Sequence, residues 1–466
     1  MGQHCLSARQ RNAVIANIVT ACVVSSLLST ALTTALPPIM NDFSVDMHTG
    51  QWLTSGYSLA MGVVMPLSAF LITRFPTKPL YIASLGTTIS GIALCAFAPN
   101  FPVMMCGRIL QALGNGLFTA MAQVVILTVC PTNKQGTAMG IYGLSVSAAP
   151  VVAPVLSGFI TDALGWRWIF YGSIALFAVV TLLATKAFEN VLKTTPQRFD
   201  FISFAASTLA FGGITLGVGN LPVSGIASPL CFGPILAGAI AAVFFTVRQL
   251  RLSKPFLDVR TFASKPFTVS VVCSMLLYFL MMGSSVIMPL YVQNILGGSA
   301  TLSGLVTMPG SLVMALVCPL AGRLYDSLGI KPLLVAGSGL LIASNGGMAL
   351  IGVETSVWVA SALNVVRCIA IACLMMPLVT WGAGQVGETL VAHATALLTS
   401  LRTVAGAIGS AVFTGVMTST GSAAANAGAQ EAAMHGLNIS FAGMAGTAAI
   451  LLLVGLVLTR SRKSTV

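Results

Sequence analysis

Three arginines, Arg108, Arg367 and Arg402, interrupt long stretches of the chain that carry no other charged residue. An arginine at the centre of a bilayer costs about 2.5–3.5 kcal/mol on insertion scales. Each is therefore expected to face a helix-bundle interior, a wet cavity or free backbone carbonyls. Two interpretations follow. Such a guanidinium either contacts a permeating molecule or acts as a structural clamp onto a helix end or a neighbouring helix.

Carboxylates are missing from the interior of the same stretches, because Asp162 and Glu388 fall at their ends or in loops. A cation in a low-dielectric cavity needs a carboxylate, since an unpaired buried charge is expensive. The sequence therefore favours neutral or anionic amphiphiles over dicationic ones, bound by arginine, hydroxyl and amide groups and by apolar surface.

The chain carries no sign of catalysis or of a bound cofactor. It has no Gly-Lys pair and hence no phosphate-binding loop of the Walker type. Its ten cysteines are scattered without a CxxC spacing, as is typical of small apolar residues in membrane helices. We expect no enzyme activity, no cofactor and no metal.

Twelve long charge-free stretches dominate the chain. They are 12–40, 47–73, 79–107, 109–133, 135–161, 168–185, 201–247, 266–322, 332–353, 368–387, 403–430 and 432–459. Only 7% of the residues are charged, whereas a soluble domain averages about 25%. Because about 20 apolar residues cross a bilayer as a helix, each stretch is a candidate span. The two longest hold two spans each, separated by turn-forming residues at 219–225 and 297–299.

The sequence therefore predicts an all-α polytopic membrane protein with fourteen spans. They are expected near 12–36, 52–73, 79–98, 103–129, 136–161, 168–186, 201–219, 230–248, 267–293, 303–322, 332–352, 357–381, 391–418 and 439–459. The first span is too long for the apolar region of a signal peptide, so we expect it to be retained.

The basic residues test this span count. Eighteen of the 22 Lys and Arg residues lie at the termini and in one set of alternate loops, and only Arg167 lies in the opposite set. Loops rich in Lys and Arg stay in the cytoplasm, so both termini are predicted to be cytoplasmic. The formal charge of +12 then reflects membrane orientation, and no nucleic-acid partner is expected.

An internal repeat relates the two ends of the chain. Segment 322–332 aligns with 69–79, which places Asp326 on Thr73 at an offset of 253 residues. Arg367 corresponds to Arg108 at an offset of 259 residues. Similar elements in the same order indicate two related six-span halves, with spans seven and eight inserted between them. Repeated halves around a midplane site are typical of secondary transporters.

Several motifs occupy matching positions along nearly the whole chain. Gly322–Lys331 reads G-x-L-x-D-x-x-G-x-K, and span four carries Arg108, Gln111, Gly114 and Gly116. Span five carries Ala149-Pro150, Ala153-Pro154 and Ser157-Gly158, and further signatures lie at 51–60, 166–170, 291–293, 308–310 and 402–409. Together these motifs resemble the major facilitator superfamily, and in particular its fourteen-span drug:proton antiporter branch.

The resemblance implies roles for particular residues. Arg108 and Gln111 would line the central pathway and help to couple proton or substrate movement. Polar groups of the same cavity would be Thr30, Thr33, Tyr57 and Gln293. Arg367 lacks the Gln and Gly that follow Arg108, and Arg402 lies in the cytoplasmic half of its span. For both of these buried charges the clamp interpretation stays open.

The same resemblance implies a gate at the cytoplasmic side. Asp326 would be an inter-helix latch, with Gly322, Gly329 and Lys331 in the same gate. The alternative is a solvated aspartate in the loop after span ten that caps a helix N-terminus. In span five, small residues permit close packing and prolines permit bending, so this helix could seal one side. The residues of that motif are Ala149, Pro150, Ala153, Pro154 and Gly158.

The chain departs from the branch at four positions. Leu28 stands where the branch has a span-one aspartate, and Thr33 replaces an Asn. In the first-half loop motif, Thr73 and Pro76 replace the aspartate and the second glycine. We therefore expect no proton coupling through a span-one carboxylate and no ionic latch in the first half.

The predicted fold is a major facilitator bundle with three parts. Residues 1–186 form an N-terminal six-helix half, 187–265 a two-helix insert with its linkers, and 266–466 a C-terminal six-helix half. By resemblance, the protein is a monomer in a bacterial plasma membrane that exports small hydrophobic or amphiphilic molecules by alternating access, coupled to protons. Its partners would be substrate, protons and the lipid bilayer. A transport-inactive scaffold or sensor and a facilitator for one metabolite stay open as alternatives.

Overall fold

Fourteen long helices make up most of the computed structural model, which describes residues 7–192, 194–195, 199–220, 228–423 and 429–459. They are α1 (Ala8–Phe43), α2 (Met47–Arg74), α3 (Thr77–Ala96), α4 (Phe101–Val129), α5 (Gln135–Leu164), α6 (Arg167–Ala187), α7 (Phe201–Gly219), α8 (Pro229–Arg251), α9 (Lys265–Leu290), α10 (Ala300–Leu328), α11 (Ile330–Ala349), α12 (Val357–Ala383), α13 (Val391–Ala423) and α14 (Ala429–Thr459). Each contains a segment long and apolar enough to cross a membrane, and the described residues contain no strand. The predicted fourteen-span, all-α class is confirmed.

Most helices extend beyond the predicted spans at one or both ends, because polar residues continue or cap them beyond the apolar segment, whereas α3, α9 and α11 end before the predicted spans do. At the start of α1, Ser7 and Gln10 form a capping box in which each side chain accepts a hydrogen bond from the other's backbone N–H. At the end of α10, the helix continues to Leu328. The sequence had placed Asp326 in the loop after span ten. The structure instead places it in the last turn of α10. Gly329, with φ of 76°, ends the helix in a conformation that favours glycine.

The predicted break in the second double-length stretch is confirmed. After α9, residues Tyr291–Ile295 form a π-helical turn, and Gly297 adopts a φ of 66° before Ser299 caps α10. In the first double-length stretch, α7 ends at Gly219, as predicted. Most of the predicted turn at 219–225 lies outside the described residues.

The packing repeats between the two six-helix halves. In the first half α1 packs on α5 and α6, α2 packs on α4, and α3 packs on α4 and α6. In the second half α9 packs on α13 and α14, α10 packs on α12, and α11 packs on α12 and α14. The insert helices α7 and α8 pack on each other, and α7 also contacts α2 and α13. Helix α8 leaves apolar side chains such as Ile240 and Val243 exposed, as expected for a face toward lipid.

The end of the bundle at which α1 begins and α14 ends is called the basic end, because it carries the Lys- and Arg-rich loops. The halves contact each other through α5 with α10 and α12 and through α13 with α2 and α4, and the two most extensive of these contacts are called seams. The α5–α10 seam is the more extensive one, and the α2–α13 seam occupies the corresponding position in the repeat. The structure thus describes a bundle whose halves are packed together toward the basic end.

Candidate functional site

Arg108 is the centre of a buried polar network in the first half. Its Nε donates to the backbone oxygen of Leu53 at 3.1 Å, and its Nη1 donates to Gln111 Oε1 at 2.7 Å. The guanidinium carbon lies 4.1 Å from the ring centroid of Tyr57, which is a cation–π contact. Gln111 follows Arg108 by three residues on α4, so the two side chains share a helix face.

The network continues to α1. Asn115 Nδ2 donates to the Tyr57 hydroxyl, and Ser25 Oγ donates to Asn115 Oδ1 at 2.6 Å. Asn115 was missed in the sequence, although it lies seven residues after Arg108 and therefore on the same face of α4. Three helices, α1, α2 and α4, are thereby tied around one buried cation whose described partners are all neutral.

The other predicted pathway residues are not part of this network. The Thr30 and Thr33 hydroxyls donate to carbonyl oxygens of their own helix, at 3.0 and 2.7 Å. Gln293 is exposed on the π-helical turn after α9, at the end of the bundle opposite the basic end. Leu28, in place of the branch's aspartate, is only 1% exposed and packs in the apolar core. The structure therefore brings Gln111 and Tyr57 to Arg108, but not these threonines or Gln293.

Arg367 is also buried, but it has different partners. Its Nη2 donates to Asn364 Oδ1, its guanidinium lies 5.7 Å from the Phe441 ring on α14, and its Nη1 has no partner among the described residues. At the repeat offset of 253 residues, Tyr57 corresponds to Gly310, which has no side chain to stack on. This absence explains why Arg367 has no counterpart of the Arg108–Tyr57 contact.

Arg402 on α13 is only 6% exposed. Its guanidinium carbon lies 4.7 Å from the ring centroid of Tyr278 on α9. Its Nε and Nη1 have no hydrogen-bond partner among the described residues. The described residues therefore provide no helix end or neighbouring helix to which these two nitrogens are clamped by a hydrogen bond.

Asp326 joins the two halves at the basic end. Its Oδ1 accepts from Gly136 N at 2.7 Å, and its Oδ2 accepts from Thr137 N at 2.7 Å and from Thr137 Oγ1 at 2.6 Å. Gly136 and Thr137 lie in the first turn of α5, where free N–H groups and the helix dipole favour an anion. The two interpretations of Asp326 therefore describe one contact: it caps a helix N-terminus, and that helix belongs to the other half.

Glycines allow the α5–α10 seam to close tightly. A Cβ on Gly322 would clash with the backbone oxygen of Gly136, and one on Gly140 would lie 2.6 Å from the backbone oxygen of Cys318. Side chains at these positions would hold α5 and α10 apart and separate Asp326 from its N–H donors. Of the other predicted gate residues, Gly329 ends α10, and Lys331 is exposed in the first turn of α11.

The α2–α13 seam is built differently. The Thr73 hydroxyl donates to carbonyl oxygens of its own helix, at 2.9 and 3.0 Å. The linker, residues 252–264 between α8 and α9, instead lies against both helices. Its Phe256 stacks on Phe70 of α2 with ring centroids 5.7 Å apart, and Asp258 N donates to Nδ1 of the buried His393 on α13 at 3.3 Å.

The predicted small-residue face of α5 is buried. Ala149, Ala153 and Ser157 are each at most 2% exposed, whereas Pro154 is exposed and Gly158 is half-buried. Helix α5 is continuous through Pro150 and Pro154, although the side chain of Pro150 lies outside the described residues. Close packing of the small face on α1 and α10 is the role that the geometry supports.

Residues 18–410 match the model of the Major Facilitator Superfamily. The chain belongs to this superfamily. Its relatives include the uncharacterized MFS-type transporter YcnB of Bacillus subtilis strain 168, which is 36% identical over 454 residues, 97% of this chain and 95% of YcnB. The lincomycin resistance protein LmrB of Listeria monocytogenes is 33% identical over 395 residues, 85% of this chain and 84% of LmrB.

Solved structures agree with the facilitator fold. The human organic anion transporter MFSD10 superposes with a TM-score of 0.71, covering 95% of this chain and 99% of MFSD10, at 14% sequence identity. This likeness shows the fold alone. The family and the fold identify an integral membrane transporter of the major facilitator superfamily and not an enzyme.

Proposed function

We propose that this facilitator exports small hydrophobic or amphiphilic compounds by alternating access, driven by the proton gradient. The observation that carries the proposal is the contact of Asp326 with the α5 N-terminus, because it is a polar seal between halves at one end of the bundle. A seal made of three hydrogen bonds and a glycine-lined surface can break and reform without unfolding either helix. The relative named for lincomycin resistance supports an export function.

The proposed orientation places the basic end in the cytoplasm of a bacterial plasma membrane. Loops rich in Lys and Arg remain on the cytoplasmic side, so both termini would lie there. The proposed boundaries are 1–186 for the first half, 187–265 for the insert and 266–466 for the second half, with a monomer as the working unit. The sealed basic end would then correspond to the outward-facing state of the transport cycle.

The proposed pathway runs along the Arg108 network. Gln111 and Tyr57 contact the guanidinium, and Asn115 bonds to the Tyr57 hydroxyl, at the junction of α1, α2 and α4. Thr30, Thr33 and Gln293 are proposed as polar groups nearer to the outer mouth. Proton coupling would use groups other than a span-one carboxylate, because Leu28 occupies that position.

A drug-susceptibility panel in an efflux-deleted bacterial host tests this proposal. Expression of the transporter should raise the tolerated concentration of several amphiphilic compounds, lincomycin among them, and an uncoupler should remove the gain. The Arg108→Ala variant should reach the membrane, since loss of a costly buried charge favours insertion, but should confer no resistance. Full resistance with Arg108→Ala would make Arg108 a packing residue.

Proteoliposomes separate the alternatives. An imposed proton gradient should drive uptake into inside-out vesicles. Absence of transport for every compound would favour a scaffold or sensor, and gradient-independent movement of one metabolite would favour a specific facilitator.

A further inference from the structure

Arg402 carries a buried positive charge that nothing in the described chain neutralises. Arg167 forms an ion pair with Asp42, and Arg248 forms one with Asp200. Arg402 takes part in neither, and its Nε and Nη1 have no hydrogen-bond acceptor among the described residues. Burying a charge without a partner is costly, so a group supplied from outside the chain would stabilise this arrangement.

Arg402 lies within the apolar span of α13, in the half of the helix that is nearer to the basic end. It lies eleven residues beyond Val391, the first residue of α13, which corresponds to about 16 Å along the helix. Helix α13 has 33 residues, so Arg402 lies about one third of the way along it from the basic end. Helix α13 packs on α9 of its own half and on α2 and α4 of the other, which places Arg402 beside the junction of the halves.

Hydroxyl groups without partners accompany Arg402. Thr399 and Thr395 lie three and seven residues before it, hence on the same face of α13, and neither hydroxyl has a described partner. On α9, Ser274 lies one turn before Tyr278, and its hydroxyl also lacks a partner. Thr395, Thr399 and Ser274 are each at most 5% exposed.

The first half also borders this cluster. Tyr142 of α5 lies within electrostatic reach of both Arg402 and Tyr278. The Tyr142 hydroxyl accepts a hydrogen bond from Gln123 Nε2 of α4 at 3.4 Å. The cluster therefore combines a guanidinium and several hydroxyls at a surface shared by both halves.

We propose that Arg402, with the hydroxyls of Thr399, Thr395 and Ser274, binds the anionic head group of an amphiphilic substrate. The inference rests on the proposed export function and names the substrate class that this part of the junction accepts. A carboxylate, sulfonate or phosphate supplies the acceptors that the cluster lacks, because a guanidinium presents a fork of donors to an oxyanion. The apolar tail would lie in the junction between the halves, which apolar helix faces border.

The other buried arginines do not fit this role. Arg108 uses its Nε and Nη1 on Leu53 and Gln111. Arg367 lies on α12, which contacts α5 of the other half, but its guanidinium lies over Phe441 of α14 and its Nη2 already donates to Asn364. Arg367 is therefore a matched control, since it is a buried arginine with one nitrogen lacking a described partner.

Equilibrium binding to purified transporter in lipid nanodiscs tests the proposal with two matched probes. They are 8-anilinonaphthalene-1-sulfonate, an anion, and N-phenyl-1-naphthylamine, its uncharged analogue. Arg402→Gln should weaken sulfonate binding by about tenfold or more, the scale of a lost charge-assisted hydrogen bond, and leave the neutral probe unchanged. Arg402→Lys should recover part of the affinity because it restores the charge without the fork.

The controls decide between this site and a packing role. Arg367→Gln should leave the ratio of the two affinities unchanged, and Thr399→Val should weaken sulfonate binding a few-fold if Arg402→Gln fails to fold. Equal losses for both probes with Arg402→Gln, or the same selective loss with Arg367→Gln, would overturn the assignment. Displacement of the sulfonate by inorganic phosphate alone, in an Arg402-dependent manner, would assign a small-anion site and overturn the amphiphile.

The binding assay needs no gradient, which separates it from the proposed function. Arg402-dependent sulfonate binding without any export would refute the transport proposal alone. If neutral compounds are exported but Arg402→Gln binds the sulfonate as tightly as the unmodified protein, only the present inference is refuted.

Discussion

The two seams at the basic end occupy equivalent positions in the repeat, yet they are held by different chemistry. In the α5–α10 seam, a carboxylate accepts three hydrogen bonds from the first turn of the facing helix. In the α2–α13 seam, Thr73 bonds within its own helix, and the linker packs Phe256 against α2 while Asp258 bonds to His393 of α13. One seam is a polar contact between two helices, whereas the other is covered by a linker that packs an aromatic ring on α2 and forms a hydrogen bond with α13.

The difference shows how a duplicated fold can lose one copy of a motif. The glycine-lined approach of α5 and α10 is needed only where a side chain must reach backbone N–H groups of the partner helix. In the α2–α13 seam no such reach is required, because aromatic packing tolerates a wider separation. The seams should therefore respond differently to substitution.

The largest effect is expected from Asp326→Asn. An amide replaces one of the two acceptor oxygens by an N–H donor, which opposes the N–H group of Gly136 or of Thr137, and it removes the charge that the α5 N-terminus favours. Efflux in proteoliposomes should fall about tenfold or more, as expected for losses of charge-assisted hydrogen bonds. Thr73→Val, the matched change in the other half, should leave efflux close to that of the unmodified protein. Equal losses in the two variants would show that the seams are energetically alike.

A smaller loss is expected from Gly322→Ala, because its methyl group would meet the backbone of Gly136 and hold the helices apart. Gly304→Ala on the same helix is the control, since a Cβ there has no neighbour within 4 Å. Spin labels on Lys134→Cys and Arg323→Cys, in a cysteine-free background, report the separation of α5 and α10. We expect a longer, broader distance distribution for Gly322→Ala only. An unchanged distribution would mean that the seam does not depend on close backbone approach.

Phe256→Ala addresses the other seam and should have a moderate effect. The ring is 2% exposed, so truncation leaves a cavity between the linker and α2 that costs about 3–5 kcal/mol by analogy with other core sites. Labels on α2 and α13 should move apart while the α5–α10 distance stays constant. Phe232→Ala on α8, whose side chain is exposed, controls for loss of an aromatic ring. Movement of both seams together would show that they act as one unit.

The smallest effect is expected from the ion pair that joins the start of α7 to the end of α8. It links Asp200 Oδ2 to Arg248 Nη2 at 3.0 Å. Burial raises the pKa of Asp200, but hydrogen bonds from Ser203 and Arg248 outweigh it, so the net pKa is lowered. The pair therefore adds stability above the ordinary aspartate pKa of about 3.9, and this is lost as the pH falls through the lowered folded-state value. Asp200→Asn should lower the unfolding temperature slightly at pH 7 and converge with the unmodified protein in acid. A constant difference at all pH values would assign the effect to packing.

The sequence was sufficient for the features that depend on local pattern. Charge-free stretches predicted all fourteen helices, because lipid offers no hydrogen-bond partners and an apolar segment of this length satisfies its own backbone groups by forming a helix. Gly297 likewise marked the break before α10.

The features that depend on how helices are rotated against each other were not predictable. Asp326 was identified, but its partners Gly136 and Thr137 lie about 190 residues earlier, and no local pattern links them. The contact of Asn115 with Tyr57 and the contact of Phe256 with Phe70 likewise depend on tertiary packing. The helical position of Asp326 was missed because the apolar span ends before the helix does.

The tethered linker also changes which substitutions the chain can tolerate over evolutionary time. A segment that is covalently joined to the insert is present at its docking surface at a high effective concentration, so its docking does not require additional contacts from the helix ends that it covers. We therefore expect positions 73 and 76 to accept a wider range of side chains than their counterparts Asp326 and Gly329. Residues 256–258 make the contacts in their place, so we expect substitutions to be accepted less often there than at the helix ends that the linker covers.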